Sequence, residues 1–320
     1  MKIVIIGSGG RLGAALMREY RNKFEVTVFN HRQLDLSNLA DVRQKLRATD
    51  FDVLINAAAF TNVDLCEIER DSAFLINAEA PGVLANICSD KGAKLIHFST
   101  DYVFDGEKHQ PYTEEDDAKP ISVYGESKLA GEKNVLAVQA GHLVVRVSWV
   151  FGPARSSFVD AMIKRAQEEK HMEAIADKFS TPTYTLDIAR MLPRFFLAGI
   201  GDPGSKSSRI SSDGGKTGVI DPGYSAVDCS GIVHFANAGE CSWQEYAQWA
   251  LDCCQACGVS LKTKTVGAMK LKDMSRWIAR RPVYSVLSTG KYAKLPGVAP
   301  RPWREAVADY IKHMYASDRS

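Results

Sequence analysis

The chain has little that would mark it as a secreted, membrane-bound or nucleic-acid-binding protein. Its 320 residues include only 7 cysteines, an odd number without the spacing of a disulfide framework. The formal net charge is only +2 and no long run of lysine and arginine occurs, which argues against binding to nucleic acid. No stretch approaches the ~18 apolar residues of a spanning helix, and the first apolar run ends at Ile6, too early for a signal peptide. We therefore expect a soluble, cytoplasmic protein.

The cysteines also offer little to a metal ion. The densest group, Cys253, Cys254 and Cys257, lies in the stretch WALDCCQACGVS, which has no second pair of ligands. Because zinc sites of this kind need such a pair, we expect reduced thiols on a helix and no metal site there. A homodimer, and a divalent metal at its interface, both stay open at this point.

What the chain does have is a regular alternation of short apolar runs and longer amphipathic segments. Buried strands are predicted at KIVIIG, EVTVFN, DVLINAAA, AKLIHFST and HLVVRVSWV, with helix-length segments such as RLGAALMREYRNK between them. Repeated strand–helix–strand order predicts parallel strands covered by helices on both faces. The predicted fold class is therefore α/β, a Rossmann-type doubly wound parallel sheet with a smaller C-terminal part.

A glycine-rich turn follows the first strand. Gly7, Gly10 and Gly13 in GSGGRLG stand between that strand and the first helix. Glycines at this place allow a tight turn, and the helix N-terminus behind them favours a pyrophosphate through its free N–H groups. The turn therefore predicts a dinucleotide-binding site.

The regular alternation of predicted strands and helices ends near the middle of the chain, which predicts a division into two parts. Residues 1–152 form the predicted NAD(P)-binding Rossmann domain, and residues 153–320 are mainly a substrate-binding domain. Segments near 172–198 and 231–236 are expected to return to the first domain, since GIVHFANAG is typical of one more buried strand. Residues 201–230, rich in Gly, Ser, Pro and Asp, are expected to be a loop or insertion.

A tyrosine and a lysine lie four residues apart in VYGESKLAGE, so Tyr124 and Lys128 share one face of a predicted helix. A free phenol has a pKa near ~10. One positive charge about 4 Å away, at an effective dielectric near ~20, is worth about 4 kcal/mol or about three pKa units. Lys128 is therefore expected to bring the pKa of Tyr124 toward neutral, so that Tyr124 moves a proton. Thr100 ends a predicted strand, where its hydroxyl is expected to hold a substrate oxygen.

These features together resemble the extended short-chain dehydrogenase/reductase superfamily. The G-x-x-G-x-x-G turn, NAAA at Asn56 to Ala59, Ser99 with Thr100, and the Y-x-x-x-K pair occur in that superfamily's order. The strings STDYVFDG, PYTEED, VYGESKLAGE, VVRVSWVFG, STPTYTLDIA, GECSWQEYA and RRPVYSVLST are similar to the dTDP-4-dehydrorhamnose reductase family over nearly the whole length. Residues 201–230 are the clear departure.

The resemblance implies an enzyme that uses NADPH to reduce the 4-keto group of a dTDP-linked 6-deoxyhexose, giving dTDP-L-rhamnose. Thr100, Tyr124 and Lys128 are implied as the catalytic residues. The residues implied to bind the cofactor are Gly7, Gly10, Arg11, Leu12, Gly13, Asn30, Arg32, Asp35, Leu36, Ala57, Ala58, Ala59, Ser99, Tyr124 and Lys128. Those implied to bind the substrate are Thr61, Tyr102 and Trp149, with Arg281 as a candidate for its diphosphate.

The end of the second strand predicts a preference for NADPH over NADH, with some tolerance for both. A dinucleotide fold specific for NAD usually presents a carboxylate there, whereas this strand ends at Asn30, His31 and Arg32. Arg32 is expected to pair with a 2′-phosphate through its planar guanidinium. Asp35 is assigned to the adenine, as the resemblance implies.

Other functions of related proteins stay open. A nucleotide-sugar 4,6-dehydratase has an Asp-Glu pair after the threonine, where this chain has Asp101-Tyr102, and an epimerizing reductase uses an additional Cys and His, yet no cysteine lies between Cys88 and Cys229. A regulatory subunit is the non-enzymatic alternative, because the beta subunit of methionine adenosyltransferase resembles the same reductases. The sequence does not report the base of the nucleotide.

Overall fold

The computed structural model describes residues 1–138, 140–197, 230–295 and 298–316. The predicted loop or insertion at 201–230 therefore lies outside the described residues, apart from Ser230.

The strands are short. Most of the longer ones have buried apolar side chains, whereas the strand Glu25–Phe29, at the edge of the central sheet, is only partly buried. In chain order they are β1 Lys2–Ile6, β2 Glu25–Phe29, β3 Val53–Asn56, β4 Lys94–Thr100, β5 Leu143–Val147, β6 Val150–Phe151, β7 Glu173–Ile175, β8 Phe179–Ser180, β9 Thr183–Tyr184, β10 Gly231–Phe235, β11 Cys241–Ser242 and β12 Gly267–Met269.

The helices lie between these strands. They are α1 Arg11–Tyr20, α2 Leu39–Ala48, α3 Val63–Ile68, α4 Arg70–Phe74, α5 Ala80–Lys91, α6 Val123–Leu136, α7 Phe158–Glu168, α8 Thr185–Met191, α9 Trp243–Ala256, α10 Gly290–Ala293 and α11 Trp303–Tyr315. A π-helical turn at Leu75–Glu79 joins α4 to α5, and 3₁₀ turns lie at Asp101–Val103, Leu192–Phe195 and Leu271–Asp273.

Six parallel strands of the described chain form the central sheet, in the order β2–β1–β3–β4–β5–β10. This confirms the predicted doubly wound α/β fold. The first strand has β2 on one side and β3 on the other, so the strand order reverses at β1 and a crevice opens outside the carboxyl ends at this point. The remaining strands pair as β6 with β9, β7 with β12 and β8 with β11.

Both faces of the sheet are covered because successive side chains of a buried strand point to opposite sides. Ile3 and Ile5 of β1 pack into one cluster with Leu16 of α1 and Ile188 of α8. The alternate side chains of β1 pack on the other face with helices α2 and α5, and this second cluster includes Val4, Ile6, Val42, Leu46, Leu84 and Ile87.

The C-terminal part has its own apolar cluster, where helices α7, α9 and α11 pack together. Ile163, Tyr246, Trp303 and Tyr310 are buried there, beside Phe151 of β6. Strand β10 returns to the edge of the central sheet and pairs with β5, with Gly231 opposite Leu143 and Phe235 opposite Val147. The division of the chain near Gly152 into two domains stays a prediction.

A buried polar network holds β10 against its neighbours. Arg146 of β5 forms a two-point ion pair with Glu132 of α6, at 2.9 and 2.7 Å. His234 of β10 lies 3.3 Å from Arg146 Nη1 through Nε2 and 3.1 Å from the Tyr112 carbonyl oxygen through Nδ1. A neutral ring that donates from Nδ1 and accepts at Nε2 satisfies both contacts. Burial, then Arg146, lowers the pKa of His234 to about 3.

The cysteines in the described part of the chain are mostly buried, free thiols. Cys66, Cys88, Cys241, Cys253 and Cys254 are buried, and none is in a disulfide. Burial raises their pKa values, to about 11 for Cys66 and Cys253 and about 12 for Cys88 and Cys254. Among the described residues, no group of three or more His, Cys, Asp or Glu side chains is arranged to hold a metal ion. Nor does any described helix combine the length and apolar character needed to cross a bilayer.

Candidate active site

A cavity of about 850 Å³ opens at the carboxyl ends of β1, β3 and β4, where the strand order reverses. Its walls include Gly7, Gly10, Arg11, Leu12, Asn30, Arg32, Asp35, Leu36, Ala57, Ala58, Ala59, Thr61, Ser99, Tyr124 and Lys128. These are the residues implied to bind the cofactor, except Gly13, together with one of those implied for the substrate. Other residues, such as Phe60, Ile76 and Arg155, complete the walls, and their residue types gave no reason to predict a binding role.

The glycine-rich turn has no room for side chains. Gly7 has a φ of +86°, and a Cβ there would lie 2.8 Å from the backbone nitrogen of Ala58. A Cβ on Gly13 would lie 2.2 Å from the Gly7 carbonyl oxygen. Gly13 therefore stands behind the turn, where it lets α1 begin close against the loop, and does not reach the cavity wall.

Arg11 crosses from the start of α1 to the loop after β6. Its guanidinium donates to three carbonyl oxygens, at 3.0 Å to Val150, 3.2 Å to Arg155 and 2.5 Å to Ser156. Burial lowers the pKa of Arg11. The loop is thereby fastened over the helix N-terminus, with Arg155 on the cavity wall.

The end of β2 forms the wall at the far side of the glycine turn. The Asn30 side-chain oxygen accepts the N–H groups of Arg32 and Gln33, at 2.9 and 3.1 Å, and so shapes the turn that follows. Arg32 is exposed at the cavity wall. The Asp35 carboxylate accepts the Ser37 N–H at 2.9 Å, and this bond lowers its pKa.

The π-helical turn positions the loop that carries Thr61. It contains Asn77, which is fully buried. The Asn77 amide accepts the N–H of Phe60 at 2.8 Å and donates to the Phe60 carbonyl at 3.0 Å and to Ser127 Oγ at 3.1 Å. The loop after β3 is thus tied to α6, the helix that holds the tyrosine and lysine.

Helix α6 brings Tyr124 and Lys128 into the cavity. The Ser122 side chain caps the helix by accepting the Gly125 N–H at 3.2 Å, so Tyr124 lies in the first turn and Lys128 one turn later. Thr100 Oγ1 donates to Asp101 Oδ1 at 3.1 Å and accepts the Tyr102 N–H at 3.2 Å. The Thr100 hydroxyl also lies near enough to the Tyr124 phenol to lower the phenol's pKa. The structure thus brings the three predicted catalytic residues together.

The predicted effect of Lys128 on Tyr124 is wrong for the free protein. Burial is the largest influence and raises the pKa of Tyr124, while the Thr100 hydroxyl opposes it. Burial also lowers the pKa of Lys128 to about 8, against an opposing pull from Glu132. The Lys128 side chain contacts other groups: its Nζ atom donates to the Phe98 carbonyl at 2.7 Å and lies 3.3 Å from His97 Nε2. The phenol is therefore held in its protonated form.

Asp101 is a junction that links three segments of the chain. Its Oδ2 atom accepts the hydroxyls of Ser148, Ser180 and Ser285, at 3.1, 3.1 and 2.6 Å. All of these side chains are buried. Because Thr100 donates to the same carboxylate, its position depends on segments from both halves of the chain.

The predicted substrate residues are distributed more widely. Tyr102 is buried with its ring edge-on to Tyr124, 5.8 Å between centroids. Trp149 has a φ of +40° and packs among Phe158, Trp243 and Tyr246, with centroids 5.3 to 6.4 Å apart. These two side chains are not on the walls of the cavity, and neither is Arg281.

Arg281 is occupied by an ion pair. Its Nη1 and Nη2 atoms donate to Asp64 at 3.0 and 2.8 Å, and its guanidinium lies 3.9 Å from the ring centre of Trp277. This partner could not be predicted from the local sequence, because Asp64 is distant in the chain. Its role toward a diphosphate stays a prediction.

The cavity fits a nicotinamide dinucleotide. The glycine turn offers a close approach at a helix N-terminus, which suits a pyrophosphate. The Ser99 hydroxyl on the wall is buried and has no hydrogen-bond partner within the described residues, as expected of a group that a ligand satisfies. Arg32 and Arg155 add positive charge at the rim.

The comparisons with known proteins identify the family of the chain. The family model described as RmlD substrate binding domain matches residues 1–202 and 217–316. A dTDP-4-dehydrorhamnose reductase of Mycolicibacterium smegmatis is 35% identical over 315 residues, covering 97% of this chain and 85% of the relative.

Solved structures give the same result. A dTDP-4-dehydrorhamnose reductase of Clostridium acetobutylicum superposes with a TM-score of 0.83 at 30% identity, over 98% of this chain and 99% of that one. A dTDP-4-dehydrorhamnose reductase of Bacillus anthracis, solved in complex with NADP, superposes with a TM-score of 0.82 at 28% identity, again over 98% and 99%. The resemblance predicted from the sequence is confirmed. With a family match over most of its length, this chain belongs to the RmlD substrate binding domain family, that of the dTDP-4-dehydrorhamnose reductases.

Proposed function

We propose that the protein is an NADPH-dependent oxidoreductase that reduces the 4-keto group of a nucleotide-linked 6-deoxyhexose. Its proposed substrate is dTDP-4-dehydrorhamnose and its product dTDP-L-rhamnose, with NADH accepted less well. The single observation that carries the proposal is the pair of Tyr124 and Lys128 on the wall of the cavity, with Thr100 beside the Tyr124 phenol. The names of the relatives support the substrate.

The proposed chemistry divides between the cofactor and the side chains. Bound NADPH supplies a hydride to the carbonyl carbon. Tyr124 then donates its phenolic proton to the developing alkoxide, a role that suits a phenol kept protonated by burial. Thr100 hydrogen-bonds the same oxygen and so holds it beside the phenol. Lys128 is proposed to bind the cofactor from one turn further along α6.

Each part of the dinucleotide is assigned to a part of the cavity wall. The glycine turn and the N-terminus of α1 are proposed to bind the pyrophosphate, and Asp35 and Leu36 the adenine. Arg32 is proposed to pair with the 2′-phosphate, and Ser99 to bond a polar group of the nicotinamide half. Thr61, Tyr102, Trp149 and Arg281 are proposed to contact the substrate. A homodimer and a cytoplasmic location stay predictions.

The structure also bears on the dehydratase alternative. A dehydratase needs free acid and base groups beside the threonine, and Asp101 is the only carboxylate of the Asp101-Tyr102 pair. That carboxylate accepts four side-chain hydroxyls, those of Thr100, Ser148, Ser180 and Ser285. A carboxylate that accepts this many hydrogen bonds is poorly suited to take up and return protons. Simple reduction, which needs no such group, is therefore favoured over dehydration.

The test is a turnover assay with purified protein. NADPH absorbance is followed with dTDP-4-dehydrorhamnose, with the same keto sugar on UDP, and without sugar, and the product is identified by NMR. We expect absorbance to fall fastest with the dTDP sugar and to yield dTDP-L-rhamnose. Tight NADPH binding without turnover of any keto sugar would instead support the non-catalytic regulatory subunit.

A further inference from the structure

A chain of three buried side chains runs behind the lysine of the active site. Asn56 ends β3, His97 lies within β4 and Lys128 projects from α6, and they are 0%, 0% and 1% exposed. Asn56 Nδ2 lies 3.1 Å from His97 Nδ1, and His97 Nε2 lies 3.3 Å from Lys128 Nζ. Sequence reasoning singled out Asn56 only as part of a motif and gave His97 no role.

The backbone fixes the direction of this chain. The Asn56 side-chain oxygen accepts the Ala58 N–H at 3.2 Å, so its amide nitrogen faces His97 and donates to Nδ1. A neutral imidazole carries one proton, which therefore lies on Nε2. That proton points at Lys128 Nζ, and an ammonium group has no lone pair with which to accept it.

The arrangement thus matches an uncharged Lys128. A neutral amine accepts the Nε2–H of His97 and donates to the Phe98 carbonyl, which lies 2.7 Å away. A charged ammonium at Lys128 would face the Nε2–H donor of His97 and could not form a hydrogen bond with it. Glu132, the nearest acid on α6, is already in a two-point ion pair with Arg146 of β5.

We propose that His97 is a positioning residue that acts through Lys128: with its proton on Nε2 it holds the uncharged amine in place, and it releases the side chain when the amine takes up a proton. The proton comes from solvent in the open cavity, and one N–H bond forms on Nζ. The charged Lys128 is then free to turn toward the cofactor. The role in catalysis rests on the proposed function, whereas the hydrogen-bonded chain does not.

The direction of two pKa shifts supports this coupling. Burial lowers the pKa of Lys128 to about 8, and burial followed by the charge of Lys128 lowers the pKa of His97 well below its usual value. His97 thus stays neutral throughout the working range, and Lys128 is the member that changes charge. Its change is expected near pH 8.

The first arm of the test needs no activity. The free protein is labelled with ¹⁵N in histidine and its ring nitrogens are followed by NMR from pH 6 to pH 10, a range spanning about two units on each side of 8. His97→Gln assigns the His97 signals by their disappearance. We expect a neutral ring with its proton on Nε2 at high pH, and a change in its shifts centred near pH 8. A proton on Nδ1 above that pH, or shifts that stay constant, would overturn the proposal.

The second arm is kinetic. A glutamine at position 97 presents a carbonyl oxygen to Lys128 and so favours the charged amine. We expect His97→Gln to move the ionisation of Lys128 in the pH profile of kcat/KM for NADPH, which reports groups of the free protein, upward by about one pH unit, roughly a tenfold change in proton affinity. His142→Gln is the matched control, because His142 is also buried, next to the start of β5, and its ring bonds backbone groups of Leu95 and Ala85 among the described residues.

The outcomes separate the two proposals. A shift in the His97 variant alone supports the positioning role, while equal profiles in both variants and the parent contradict it. If the parent reduces no keto sugar, the proposed function fails, yet the NMR arm still decides whether His97 follows the charge of Lys128. Thermal unfolding of both variants shows whether either has lost its fold.

Discussion

The carboxylate of Asp64 and the guanidinium of Arg281 form a two-point ion pair, although they lie 217 positions apart in the chain. Asp64 also accepts the backbone N–H groups of Ile278 and Ala279, both at 2.9 Å. The pair therefore ties the segment around residue 280 to α3, close to the loop that carries Thr61. Arg281 lowers the pKa of Asp64 to about 2.

A double-mutant cycle measures this tie. We expect Asp64→Asn and Arg281→Gln each to lower the free energy of unfolding by about 1–3 kcal/mol, since each leaves a partner without its charged bond. The double variant is expected to lose about 1 kcal/mol less than the sum. Urea unfolding of the four proteins gives the coupling, and strict additivity would show that the pair contributes nothing.

The same variants test the predicted contact of Arg281 with the substrate diphosphate. A direct contact makes Arg281→Gln raise KM for the sugar nucleotide far more than Asp64→Asn does. An equal rise in both variants would mean that Arg281 acts only by holding its segment in place.

Removing the Tyr124 hydroxyl tests the assigned proton donor. We expect Tyr124→Phe to lower kcat by at least ~10², the usual scale for a lost general acid, while NADPH binding persists. Tyr20→Phe is the control, because Tyr20 is buried and its hydroxyl bonds the Ala189 carbonyl away from the site. Near-normal turnover in Tyr124→Phe would remove the residue from the mechanism.

The cofactor preference depends on the end of β2. Arg32 is exposed at the cavity rim, where it can pair with a 2′-phosphate. We expect the parent to prefer NADPH, and Arg32→Ala to lower kcat/KM for NADPH about tenfold with little effect on NADH. Arg43→Ala, on the exposed side of α2 and away from the cavity, should leave the ratio unchanged. A parent that prefers NADH would disprove the assignment.

Stability is expected to fall with acid because of His234. Its folded pKa of about 3 lies below the unfolded value of 6.5, so the unfolded chain binds more protons between these values. The stabilisation is complete above pH 6.5 and decreases as the pH falls toward 3, by up to about 1.4 kcal/mol per pH unit. His234→Gln should flatten this slope in urea unfolding, whereas His313→Gln on the exposed face of α11 should not. An unchanged slope in His234→Gln would assign the acid sensitivity to other groups.

The sequence predicted most of what depends on local pattern. The strands of the central sheet are rich in apolar residues, and the glycine turn and the Tyr124–Lys128 pair of α6 have recognisable spacings. Most residues of the cavity walls could therefore be predicted from the sequence. Strand β10 was also expected, because GIVHFANAG has the same apolar character as its neighbours.

Contacts between distant segments could not be predicted in this way. Asp64 with Arg281, and Asp101 with its three serines, join residues whose neighbours in the chain give no sign of the partner. The error about Tyr124 has the same origin. The spacing of Tyr124 and Lys128 suggested that the lysine charge lies beside the phenol. In the fold, Lys128 is buried and contacts the Phe98 carbonyl and His97, and desolvation raises the pKa of the half-buried Tyr124.

The buried thiols can be used to measure local unfolding of the protein. Only a thiolate reacts rapidly with an alkylating reagent, and burial with a raised pKa suppresses that form at Cys88 beneath the sheet and at Cys254 in α9. Each of these two cysteines is therefore labelled only when its own surroundings unfold. Pulsed alkylation followed by peptide mass spectrometry should time the two regions separately in the unaltered chain. If the two cysteines are labelled at distinct rates, the two parts of the chain unfold independently, as the predicted domain boundary near Gly152 requires. A single rate for both would show that the two parts unfold together.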